Sequence, residues 1–235
     1  MIPIKDENPT RTFPLFTISI ILVNIFIFFK YNFSMGSPEL ERLFYDVGLV
    51  PKKLFHLGLH KNLKQLFTHI FFHGDIVHLG GNMLFLWIFG NNIEDVLGKL
   101  RFLIFYFVCG FIAALLQAFM SPTSTFPMIG ASGAIAGILG AYLLLFPRAR
   151  VLVVIPIFIF LHFFWVPAVF VLSLWFIIQI LSGYFSHTFL SSIGGVAWFA
   201  HIGGFLSGIF LVYPLLWSRD IFSRKNKHQN HFNFF

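Results

Sequence analysis

Apolar residues in this chain fall into long unbroken runs, with most charged residues clustered between them. Runs near 13–29, 77–93, 101–120, 130–146, 165–185 and 197–217 approach or exceed the length of about 20 residues that crosses a bilayer as a helix. Hydrocarbon offers no water to a free N–H or C=O, so each run is expected to be a helix that satisfies its backbone internally. The chain therefore reads as a single all-α polytopic membrane domain. Residues 151–185 are too many for one crossing at about 1.5 Å per residue, and Pro156 and Pro167 interrupt them. The expectation is that 151–164 lies at the interface or re-enters the membrane, leaving 165–185 as the span.

Composition agrees, because a chain that is 57% hydrophobic and 11% charged lacks the polar surface of a water-soluble globule. Charge then sets direction, since short loops rich in Lys and Arg stay in the cytoplasm. Lys5 and Arg11, Lys99 and Arg101, Arg148 and Arg150, and the group Arg219, Arg224, Lys225 and Lys227 fit an even number of crossings. The expected layout is a cytoplasmic segment 1–12, a membrane domain 13–217 with six spans, and a cytoplasmic tail 218–235.

The first external loop, about 30–76, opposes the rule with Lys30, Arg42, Lys52, Lys53, Lys61 and Lys64, partly offset by Glu39, Glu41, Asp46 and Asp75. Its length predicts structure of its own. The first run is long, carries Asn24 and lacks an A-x-A-like cleavage site, so it reads as a retained span rather than a signal peptide. The net charge of +7 is spread over loops and tails and does not form a nucleic-acid surface. A lone Cys109 allows no internal disulfide and no thiolate metal set. The tail is either a membrane-surface anchor or disordered.

Candidate chemistry lies in polar residues that spans rarely tolerate. In this topology the second, fourth and sixth spans run inward from the outer face, so their first turns share one depth. The second opens with His78-Leu-Gly-Gly-Asn82, the fourth with Gly130-Ala-Ser132-Gly133 and the sixth with Ala200-His201-Ile-Gly-Gly204. Polar groups in membrane helices usually face the protein interior or a water-filled cavity. Ser132, Ala136 and Gly140, flanked by Gly133 and Gly137, form one stripe of small residues, and His201, Gly204 and Gly208 lie on another. Such stripes let helices approach closely, so Ser132 and His201 sit on the faces best able to meet.

A serine hydroxyl needs a base to become nucleophilic, and a neutral imidazole is suited to that task. Ser132 and His201 thus form a candidate dyad. No Asp or Glu occurs within a span to complete a triad, so packing, a hydroxyl or a ring must orient the imidazole. His78 and Asn82, at i and i+4, together with the backbone N–H of Ser132 at a helix start, are candidate donors to an oxyanion.

These motifs, in this order, resemble the rhomboid family of intramembrane serine proteases, bacterial type. The similarity runs from about Phe67 to Trp217, through His73, His78-x-x-x-Asn82, Phe89-Gly90, Glu94, Gly98, Gly130-Ala-Ser132-Gly133 and Ala200-His201-x-x-Gly204. The resemblance implies a six-helix core in the cell (inner) membrane, both termini cytoplasmic, and Ser132 as nucleophile with His201 as general base and acid. It further implies oxyanion stabilisation by His78 and Asn82, and cleavage of single-span membrane substrates near the outer face, among membrane lipid. No metal or organic cofactor is expected. About 165–197 would gate or cap the site, and the first loop would lie partly in the membrane. Lys64-Gln65 stands where many bacterial members carry Trp-Arg, and both residues are read as solvated.

Three other readings compete. His69 and His73 have the i, i+4 spacing of a zinc helix, but His69-Ile-Phe-Phe-His73 lacks the glutamate that activates water, so the pair reads as packed and hydrogen-bonded within the loop. A non-catalytic rhomboid-like client-binding protein would typically have lost the serine or histidine. A transporter would place its polar residues at mid-membrane.

Overall fold

A computed structural model describes residues 1–158, 160–189 and 196–231, for 187–189 and 218–231 the backbone alone. The structure is mainly helical. Helices α1 (Leu15–Asn32), α7 (Lys99–Met120), α9 (Ala168–Phe189) and α10 (Trp198–His231) include the four stretches long and apolar enough to cross a membrane among the described residues. The run at 77–93 is also helical, as α5 (Ile76–Phe85) and α6 (Asn91–Leu97) joined by a π-helical turn at Leu86–Gly90. The fourth run forms the shorter α8 (Ser132–Leu145).

Helix α8 lies at the centre, with Gly133 through Tyr142 all buried. It packs chiefly against α10 and α7, and also against α9. Small residues make this possible. An added Cβ at Gly204 or Gly208 would overlap the carbonyl oxygens of Gly133 and Gly137, and one at Gly140 would overlap that of Phe205. The backbones of α8 and α10 are therefore in direct contact along the two stripes. The 14 residues of α8 rise about 21 Å, less than the hydrocarbon thickness of about 30 Å, so the helix cannot reach both faces. Outside this core, Leu22, Phe26, Ile104, Phe170, Ile177 and Phe210 form part of an exposed apolar belt suited to lipid.

The expectation of an all-α domain is corrected by a three-stranded antiparallel sheet in the order β1-β2-β3. Strand β1 (Ile2–Asp6) lies in the segment before the first span, and β2 (Arg150–Ile157) and β3 (Phe160–Pro167) occupy the stretch expected at the interface. Val151-Leu-Val-Val-Ile155 and the aromatic Phe163-Phe-Trp165 favour a pleated surface. Pro156 pairs with Leu161 of β3 but falls beyond Val154, the last residue of β2 paired to β1, so its missing N–H is tolerated on that open side. A lipid-exposed sheet edge would leave its N–H and C=O groups unsatisfied in hydrocarbon.

Polar contacts fasten this end of the molecule. Glu94, almost fully buried, accepts the N–H groups of Phe16 and Thr17 at 3.0 and 2.8 Å and the Thr17 hydroxyl at 2.7 Å. It thereby satisfies donors that the start of α1 leaves without intrahelical acceptors. Lys99 pairs with Glu94 at 3.3 Å and also donates to the Phe13 carbonyl. Asp95 accepts from the Arg11 and Thr12 N–H groups and the Thr12 hydroxyl. The Tyr142 hydroxyl donates to Asp6 at 2.5 Å, and Arg150 pairs with Glu7 at 2.6 Å.

The first loop has the structure its length predicts, as α2 (Ser37–Val47), α3 (Pro51–Leu57) and α4 (Leu63–Thr68) linked by short 3-10 turns. Here a second expectation changes. Lys64 is exposed, but the Gln65 amide donates to the Asp46 carbonyl at 3.0 Å, and the Thr68 hydroxyl reaches the Val47 carbonyl at 2.6 Å. Gln65 thus ties α4 to α2 rather than standing solvated.

Candidate active site

Three helix starts meet at one cavity of about 830 Å³, lined by Ser132, His201, His78 and Asn82 among others. Each start has a local cause. Asp75 caps α5, its side chain accepting the His78 N–H at 2.8 Å. The start of α10 is held by Gln117 of α7, whose side-chain oxygen accepts the N–H groups of Phe199 and Ala200 at 3.0 and 3.2 Å. The chain enters α8 through Gly130 at φ +123°, a region that favours glycine. A Cβ there would also press on the imidazole of His78, with Nε2 at 2.7 Å.

Within the cavity, His201 Nε2 and Ser132 Oγ stand 2.8 Å apart. The opposite ring nitrogen, Nδ1, lies 2.7 Å from Gln179 Oε1 of α9. Trp175 and Trp198 flank the ring with centroids 5.8 and 6.1 Å away. His201 is buried, and Ser132 and His78 are half-buried. Asn82 is buried on α5, and its side-chain nitrogen lies 2.9 Å from His73 Nε2. Burial holds His73 in the neutral form, its pKa lowered to about 3 with His78 adding to the effect, and the Ala131 N–H also points to Nε2 at 3.5 Å, which marks that nitrogen as the acceptor for the amide. The second amide hydrogen of Asn82 is left for another acceptor.

The loop pair His69 and His73 divides its roles. His69 Nδ1 contacts the Gln65 carbonyl at 2.9 Å, and burial lowers its pKa to about 4. His73 serves Asn82.

A model of the Rhomboid domain matches residues 60–218, more than half of the chain and all three helix starts. The chain belongs to the rhomboid family. It is similar to the Rhomboid protease GluP of Bacillus subtilis, 36% identical over 55% of this chain and 24% of that protein. It also resembles Rhomboid protein 1, mitochondrial, of Saccharomyces cerevisiae, 36% identical over 35% of this chain and 25% of the relative. RHOMBOID-like protein 4 of Arabidopsis thaliana is 33% identical over 80% of this chain and 44% of its own length. The chain therefore spans less than half the length of each of these relatives. As a rhomboid family member with several apolar helices, it is a multi-pass membrane protein.

All four residues singled out in the sequence line this rhomboid cavity, with Ser132 and His201 in hydrogen-bonding reach. Gln179, Gln117 and His73 were missed as contributors. The first two are polar residues inside apolar runs, a signal that marks functional positions in spans. Neither lies in the first turn of its helix, where the other polar candidates cluster.

Proposed function

We propose that this chain is an intramembrane serine endopeptidase that hydrolyses peptide bonds in single-span membrane proteins near the outer face of the bilayer. The observation that carries this reading is the 2.8 Å approach of Ser132 Oγ to His201 Nε2 inside a cavity at the start of a helix too short to span the hydrocarbon. Similarity to a relative named as a rhomboid protease supports it.

Catalysis begins as a substrate segment enters sideways from the bilayer into the cavity, which His78, Asn82 and Phe85 of α5 and Trp175 of α9 line. His201 removes the Ser132 proton while Oγ attacks the scissile carbonyl carbon. Negative charge gathers on the carbonyl oxygen, where His78, the free amide hydrogen of Asn82 and the backbone N–H of Ser132 supply donors. The imidazolium then protonates the leaving amine, and the C–N bond breaks to give an acyl-enzyme. Water, deprotonated by the same imidazole, attacks the ester and releases the acid product and Ser132. Each step uses this chain's own groups and water.

In this reading a six-helix core, 13–217, sits in the cell (inner) membrane with 1–12 and 218–235 in the cytoplasm and the first loop, about 30–76, outside. The submerged start of α8 faces outward, so water reaches the serine from that side. A fluorophosphonate probe tests the nucleophile, since Oγ attack on phosphorus expels fluoride and leaves a stable adduct. The expected result is labelling at Ser132 that is lost in Ser132→Ala and slowed about 10²-fold or more in His201→Ala. An unlabelled wild-type protein would overturn the reading.

A further inference from the structure

The imidazole of His201 has two nitrogens, and only a lone pair on Nε2 can take the Ser132 proton. Which nitrogen carries hydrogen is set by the partner of the other one. That partner is Gln179, a buried residue in the middle of α9, whose Oε1 lies 2.7 Å from Nδ1. A glutamine can present either its oxygen or its NH2 group, so the contact alone leaves the tautomer open.

A second contact decides it. Gln179 Nε2 donates to the backbone carbonyl of Trp175, one turn earlier in α9, at 3.1 Å. A carbonyl oxygen only accepts, so the NH2 end must point to Trp175 and Oε1 must point to the ring. Oε1 in turn only accepts, so Nδ1 must carry the hydrogen. Nε2 then holds its lone pair toward Ser132 Oγ.

The direction of every hydrogen bond from the Trp175 carbonyl to the Ser132 hydroxyl follows from one acceptor fixed in the backbone of α9. We infer that Gln179 is the positioning residue of the dyad, locking the His201 tautomer and ring plane in the role that a carboxylate fills in a Ser-His-Asp triad. Its neutral amide accepts the Nδ1 hydrogen without placing a formal negative charge within the buried site, where an unpaired carboxylate would carry a large desolvation cost. Trp175, on the same face of α9, packs beside the ring, with the two ring planes 37° apart. Helix α9 therefore supplies both the acceptor and part of the wall that limit rotation of the imidazole.

The inference rests on the proteolytic reading, and the test separates the two. Steady-state cleavage of a single-span reporter in liposomes is measured against pH for wild type, Gln179→Met and Gln179→Glu, alongside fluorophosphonate labelling of Ser132. Gln179→Met keeps the length and apolar packing but removes the acceptor. It is expected to lower kcat about 10- to 100-fold with KM and thermal stability near wild type, a share of the 10²–10⁴ that a positioned base contributes. Gln179→Glu keeps an acceptor and adds charge. It is expected to restore most of the turnover and to move the acidic limb of the kcat/KM profile upward by about 1 pH unit or more, as a neighbouring carboxylate favours imidazolium.

A Gln179→Met protein with wild-type kcat and pH profile overturns the positioning role. So does a Gln179→Glu protein that stays as impaired as Gln179→Met, or whose acidic limb does not move. If wild type itself neither labels nor cleaves, the proteolytic reading fails instead.

Discussion

Gly204 of α10 lies against the carbonyl of Gly133 in α8 so closely that a methyl group has no room between them. This contact sets the distance between the helices that carry His201 and Ser132. Gly204→Ala is expected to force the helices apart, destabilising the protein by about 1–3 kcal/mol, as overpacking commonly does. Activity should fall by more than stability alone explains, since the dyad spans the same gap. Thermal unfolding in detergent and cleavage at a temperature well below Tm measure the two effects separately. Unchanged stability and activity would mean that the backbones are not in contact.

Asn82→Ala should leave the fold intact and lower kcat/KM by an amount equal to about 2–4 kcal/mol of transition-state stabilisation, with His78→Ala similar or worse. His73→Ala removes the acceptor that holds the Asn82 amide, so its effect should fall in the same direction but be smaller. Turnover that survives both Asn82→Ala and His78→Ala at full rate would show that the oxyanion is stabilised by other groups.

The N-terminal fastening is expected to depend on pH through Asp95. Burial alone would raise the pKa of this carboxyl, but hydrogen bonds from Thr12 and Arg11 and the nearby Arg11 charge outweigh it and hold the value below the ordinary range. A depressed native pKa adds stability above the unfolded value of about 3.9, and that stability is lost as pH falls through the native value. The Tm difference between wild type and Asp95→Asn should therefore be largest near neutral pH and shrink as pH falls below the ordinary carboxylate range. A gap that is constant or widens in acid contradicts the assignment.

Glu94→Ala should cost about 1–3 kcal/mol, because it leaves the Phe16 and Thr17 N–H groups without acceptors at the buried start of α1. The Thr17→Val variant removes only the hydroxyl contact and should cost less. Unfolding measured in one detergent for both variants checks the ranking.

Much of this was legible in the residues. The apolar runs located every long helix, and the spacing of Gly204 and Gly208 against Gly133 and Gly137 placed the dyad on facing surfaces. The sheet was not legible from periodicity, because the runs before and after Pro156 are continuously apolar and suit a strand or a buried helix equally well. One partner of β2, the strand β1, is some 150 residues away in sequence, and local pattern carries no record of such pairing. Gln179 was hidden for a related reason. A lone glutamine in a span marks a polar contact without naming its partner, and only the folded chain brings α9 against His201.

The most direct measurement is cleavage of a single-span reporter in liposomes by wild type, Ser132→Ala and His201→Ala, with products located by mass spectrometry. The account predicts two fragments cut near the outer face by wild type, and no turnover above background in either variant. Wild-type rates from Ser132→Ala or His201→Ala, or no cut by wild type in a membrane where Ser132 is labelled by the probe, would contradict it.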